Sequence, residues 1–233
     1  MKKAEYLSKK RAVVTEQYIR SWFSEVQILL KDNLEVLEKL QRVFNADETA
    51  MYLVPKGGLV ITEKGKPTYD VFTSNNKENV TTLFTVNAAG EIAPPLTVFK
   101  YERLPQACSF KAPSGWGIGK SENGWMTYSV FYELSAFCKK QQIILRCLPP
   151  NATHILQPLD VAAFDPLKKY WQRFVKTWRS SHNGTDITKF EILSALSEIL
   201  KEKNFSKTIP AGFKCCELYA FDPNALKYDK CVT

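Results

Sequence analysis

Three observations predict an α/β fold for this chain: β-branched and aromatic runs set off by turn signals, two strongly amphipathic helical stretches, and enough apolar residues (45% of 233) for one sizeable core. The opening stretch "VVTEQYIRSWFSEVQILLKDNLEVLEKL" places Ile19, Trp22, Phe23, Val26, Leu29 and Leu30 at helical spacing, with Thr15 as N-cap and Glu16 in the first turn. "RVFNADET" then reads as a short buried strand with Asp47 at its end. "GGLVITEKG", "NVTTLFTVNAAGE" and "IAPPLTVFK" predict three successive, mostly antiparallel strands. Residues 101–124 read as a surface loop.

"YSVFYELSAFCKKQQ" predicts a helix with Val130, Phe131, Leu134, Phe137 and Cys138 on one side, and "IILRCL" a short apolar strand. The loop "LPPNATHILQPLD" ends on Asp160, where a helix begins with Phe164, Leu167, Trp171, Phe174 and Trp178 at three- and four-residue steps. Such aromatics pack a core, or stack on bases. Lys169, Arg173 and Lys176 line another face, as a solvated stripe or as contacts to nucleic-acid phosphates. A further helix is expected over 187–204, and the tail carries few periodic cues.

Thirty-two basic residues against 24 acidic ones give a net charge of +8, which favours nucleic acid or another polyanion as partner. The six cysteines form no C-x-x-C pair, and with only His154 and His182 beside them no zinc site of ordinary spacing can be drawn. No apolar run is long enough to span a bilayer, and the basic start resembles no secretory signal. Reduced thiols and a cytosolic or nuclear home are the expectation.

Asp47 and Asp160 are the acids of interest. Each flanks a predicted strand, and in open α/β sheets ligands gather at strand ends. Carboxylates suit hard ions such as magnesium, and two such ions roughly 3.5–4 Å apart can activate a nucleophile and stabilise the leaving oxygen of a phosphodiester. That chemistry wants at least three acids. Structural roles are open to both residues: Asp160 as a helix cap, Asp47 in a turn after its strand.

"FNADET", "FTVNAAGEIAPPLTVFK", "GWMT", "LPPNATHILQPLD" and "GF…YAFDPNALKYDKC" occur here in the order found in DDE-type transposases of the mariner-like group, and the chain most resembles the branch of pogo, Tigger and jerky-like proteins. The resemblance runs over nearly the whole chain. It implies an RNase H-like mixed sheet flanked by helices, and magnesium- or manganese-dependent DNA transposition through an Asp-Asp-Asp triad. Asp47 matches the first acid and Asp160 the third, so both would be catalytic metal ligands.

The middle acid of the family lies in a motif like L-D-G-H, and no such segment occurs here. "GWMTYSVFYEL" runs straight into "SAFCKKQQIILRCLPP", as though a strand and its crossover had been deleted near Leu134 and Ser135. The fold expected is therefore an RNase H-like sheet lacking one central strand. Glu133, on the solvent side of its helix, Glu122, in a Gly-rich loop, and Asp165, in the first turns of a helix, are poor substitutes. Helix-turn-helix units that precede this domain in relatives are also missing from the sequence.

The organisation expected is a helical segment over 1–41, the DDE-type domain over 42–180, and a C-terminal helical segment and tail over 181–233. The functional expectation is a nuclear, transposon-derived domain, disabled as a nuclease and binding DNA weakly and without sequence preference. Two alternatives stand beside it. One is an active endonuclease with an unrecognised third carboxylate. The other is a protein-interaction module or homodimer that docks through the aromatic helix and the cysteine-containing tail.

Overall fold

The computed structural model describes residues 8–54, 63–65 and 78–231. Their centre is a four-stranded mixed sheet in the order β1-β2-β3-β4, formed by β1 (Phe44–Tyr52), β2 (Asn79–Asn87), β3 (Leu96–Lys100) and β4 (Gly117–Ser121). The first three strands run antiparallel to their neighbours, and β4 lies parallel to β3. Of the three strands expected between 57 and 100, "NVTTLFTVN" and "LTVFK" form β2 and β3. The expected strand "GGLVITEKG" lies largely outside the described residues.

β1 is longer than its sequence suggested. Asn45, Thr49 and Met51 alternate into the interior, so the strand continues through the acidic residues to Tyr52. Asp47 therefore sits in mid-strand, opposite Phe84 of β2, and not at a strand end or in a turn. The region 101–124 was expected to be loop but contains the short helix α3 (Gln106–Phe110) as well as β4. Glycines at 117 and 119 hid that strand, and the first is required there. A Cβ on Gly117 would lie 2.7 Å from a methyl of Leu96 on β3.

Helices pack against the sheet. The N-terminal pair is α1 (Lys9–Ala12) and α2 (Glu16–Leu29), and Thr15 caps α2 as expected, its Oγ1 accepting from the Tyr18 N–H at 3.2 Å. Ile19, Trp22, Phe23, Val26 and Leu30 are buried, whereas Leu29 faces solvent. After β4 come α4 (Tyr128–Lys140), α5 (Thr153–Leu156), α6 (Phe164–Ser181), α7 (Ile192–Glu202) and α8 (Thr208–Cys215). Phe164, Leu167, Trp171 and Val175 form the inner row of α6, and the ring of Phe164 meets Phe84 edge-on at 6.0 Å. Of the aromatic stripe, Phe164, Leu167 and Trp171 are buried in the core and Phe174 and Trp178 are half-buried; in the tail Cys216 is buried and Cys215 exposed.

Two expectations fail near α4. Cys138 is buried and Leu134 half-buried, but Phe131 and Phe137 are exposed, so the expected apolar side is only partly covered. "IILRCL" forms no strand, because no strand of the described sheet comes alongside to pair with its backbone.

The tail, which had few cues, supplies α8. Gly212 of α8 lies so close to the loop before Asp160 that an added Cβ would stand 2.7 Å from the Pro158 carbonyl oxygen. One continuous core draws on residues from Val14 to Leu226.

Candidate functional site

The strand period of two sets Asn45, Asp47, Thr49 and Met51 on one face of β1. Asn45 is buried, and its Oδ1 accepts the backbone N–H of Leu159 at 3.3 Å. This bond ties the chain just before Asp160 to β1. Residues 159–163 make a single π-helical turn that leads into α6, and Asp160 is its second residue. Among the described residues no backbone N–H donates to the Asp160 carboxylate, so it does not cap this turn.

Asp47 and Asp160 are thus brought within electrostatic reach of each other from positions far apart in sequence. Burial is the main cause that pushes Asp47 up to about 6, and the Asp160 charge pushes in the same direction. The Glu48 N–H, which donates to Asp47 Oδ1 at 2.9 Å, and the Lys168 ammonium oppose the rise. Asp160 is also raised by partial burial, although one side of it stays open to solvent, while Lys168 and Arg11 pull it back.

The cations at the pair are therefore Lys168 and Arg11, not the stripe read from the sequence. Lys169, Arg173 and Lys176 lie on the exposed face of α6, and Lys169 pairs with Asp165 at 2.6 Å. Lys168 has a sequence signal in hindsight: Asp160, Phe164 and Lys168 follow one row of four-residue steps. Asn45 has one too, being two residues from Asp47 on a strand. Arg11 has none, because it arrives from outside the domain pattern. Its guanidinium donates to Thr153 Oγ1 at 3.4 Å, beside the Asp160 loop.

Glu48 has a raised pKa, chiefly from burial, offset by the Met126 N–H. As the next residue on β1 it points to the other face of the sheet. Glu122 is exposed in the loop after β4, and Asp165 is exposed on α6. Among the described residues no group of three or more His, Cys, Asp and Glu gathers where it could hold a metal ion. Two carboxylates suit one magnesium ion that keeps several waters. They offer too few oxygens and too little charge for two ions.

Residues 132–211, which span α4 to α8 and include Asp160, match the model of the DDE superfamily endonucleases. This segment, about a third of the chain, is similar to that superfamily. The Mos1 strand transfer complex is similar over 98% of this chain and 67% of its own, at 13% identity and a TM-score of 0.53, and the mixed sheet with flanking helices is the RNase H-like fold they share. A Mos1 mariner paired-end complex with Mn is similar at 12% identity over 95% of this chain and 67% of its own, with a TM-score of 0.43.

Among curated proteins, one named MFS-type transporter clz9, from Cochliobolus lunatus, is 28% identical over 182 residues. The match takes up 64% of this chain and 20% of that relative, so the chain spans about a fifth of its length. Among the described residues no helix is long and apolar enough to cross a membrane.

Proposed function

We propose that this chain is a transposon-derived DDE domain that binds DNA weakly through phosphates and has lost nuclease activity. The observation that carries the reading is the pair Asp47 and Asp160, which meet from β1 and the π-turn while the neighbouring Glu48 carboxylate lies on the other face of β1, so that among the described residues no three acids gather to hold a metal ion. A deletion near Leu134 and Ser135 would account for the middle acid of the family pattern being absent from the sequence.

Asp47 and Asp160 would hold one Mg2+ or Mn2+, which would supply charge to neutralise a phosphate oxygen. The second ion needed to stabilise both attacking and leaving oxygens has no ligand set. Basic α6, with Lys169, Arg173 and Lys176 outward, supplies phosphate contacts that carry no sequence information. The acid-bearing unit is drawn over residues 42–180, and its place of work is the nucleus.

Incubation with supercoiled DNA and Mg2+ or Mn2+ tests the reading. The expected result is no nicking above background, with filter-retained DNA at low salt that falls away steeply as salt rises. Metal-dependent nicking that is abolished in both Asp47→Ala and Asp160→Ala proteins would establish an active endonuclease instead.

A further inference from the structure

Away from the acid pair, an open groove of about 540 Å³ lies between the turn joining β2 to β3, the chain entering β4, and the connection from α7 to α8. Its volume falls within the roughly 300–1,000 Å³ of small-molecule sites. Ile92, Pro94, Trp116 and Leu200 give it apolar walls. Ile92, Leu200 and Phe205 also close its inner side, and the void behind them measures only about 10 Å³, barely the space one water needs. A ligand is therefore held in the outer groove.

The polar groups on the groove point to the chemistry of its occupant. Ser197 is 8% exposed, and its hydroxyl makes no hydrogen bond among the described residues. A hydroxyl so placed lacks the partner that buried polar groups ordinarily have. The charged side chains on the lining are Lys201 and Lys203, and no acid is among them. Lys203 is engaged, since its ammonium pairs with Glu202 at 2.5 Å and lies 5.2 Å from the centre of the Tyr170 ring. Lys201 stands one turn beyond Ser197 on α7, is exposed, and has no ion pair among the described residues.

We propose that this groove is a binding site for a small aromatic anion, with its ring against Trp116 and its acid group held by Ser197 and Lys201. The indole offers a flat face for stacking, and the hydroxyl and ammonium both donate to a carboxylate or sulfonate. For a ligand of about 20 non-hydrogen atoms in so open a site, the Kd is on the order of 10–100 μM.

Titration of the full chain with anilinonaphthalene sulfonate, an aromatic anion, tests this by dye fluorescence and by NMR of the tryptophan indole N–H signals. The expected result is saturable binding that moves the Trp116 signal, assigned from Trp116→Phe, and leaves that of Trp125 in place. The Kd should rise at least about fivefold in Lys201→Glu and about tenfold in Trp116→Ala, but not in Lys140→Glu, which makes the same charge change elsewhere. Circular dichroism checks the fold of each variant. Exposed Ile143, Ile144 and Leu145 are a rival place for the dye, so Leu145→Asp is the further control and should leave the Kd unchanged. A Trp116 signal that stays put up to about 1 mM dye overturns the proposal. So does binding that survives Trp116→Ala and Lys201→Glu, or that Leu145→Asp abolishes. Displacement of the dye by a single-stranded oligonucleotide would overturn it in favour of a DNA contact.

Discussion

Replacing Asp47 by Asn keeps the shape of the side chain and the acceptor for the Glu48 N–H, and removes a charge that the fold holds unwillingly. The Asp47 carboxyl is raised from 3.8 to about 6, by burial first and by Asp160 second. A raised acid binds its proton more tightly in the native state than in the unfolded one. The native state therefore loses stability as pH climbs from about 4 to about 6, and bears the full cost above that window. Two pKa units correspond to about 3 kcal/mol for a fully buried group. Asp47 is only half-buried, and solvent screening reduces the expected cost to about 1–2 kcal/mol.

Asp47→Asn should therefore be more stable than the parent by about 1–2 kcal/mol at pH 8, or roughly 2–8 °C in Tm for a chain of this size. The two should be indistinguishable near pH 4. Thermal melts by circular dichroism at both values, without divalent ions, give the comparison. A variant that is no more stable at pH 8, or that gains equally at both pH values, would refute the claim that the fold holds the Asp47 charge at a cost.

Three further outcomes follow from the same contacts. Asn45→Ala leaves the Leu159 N–H without its acceptor, so urea melts should show a loss of about 1–3 kcal/mol; in the same variant, carboxyl NMR titration should show Asp47 titrating closer to the ordinary range. Lys168→Ala should raise the pKa of both Asp47 and Asp160 in such a titration, whereas Lys169→Ala, which breaks only an exposed pair with Asp165, should move neither. Trp171 is 1% exposed and donates from Nε1 to the Tyr52 carbonyl at 2.8 Å, so Trp171→Ala should cost about 3–5 kcal/mol by chemical denaturation.

Much of this architecture was legible because the core is patterned. The helical spacing of Ile19, Trp22, Phe23 and Val26, and of Phe164, Leu167 and Trp171, predicted both long helices and their buried faces. β2 and β3 were legible for the same reason, as β-branched runs of the right length. β4 was not, because glycines carry no strand signal and the close contact between Gly117 and Leu96 is one that spacing cannot reveal. "IILRCL" was misread in the opposite sense: its composition favours a strand, but a strand exists only where another backbone answers it. At the site, the two acids were legible through resemblance and their partners were not. Lys168 and Arg11 become neighbours of the pair only once the π-turn and α1 are in place.

The missing side chain at Gly212 has a consequence for where this protein can be cut. α8 rests on the Pro158 carbonyl, two residues before Asp160, with no room for even a methyl group between them. The tail is thus a buttress for the acid-bearing loop, though it contributes no ligand. A fragment ended at residue 180, where the sequence alone suggests a boundary, would keep both aspartates and lose the surface against which the loop before one of them rests.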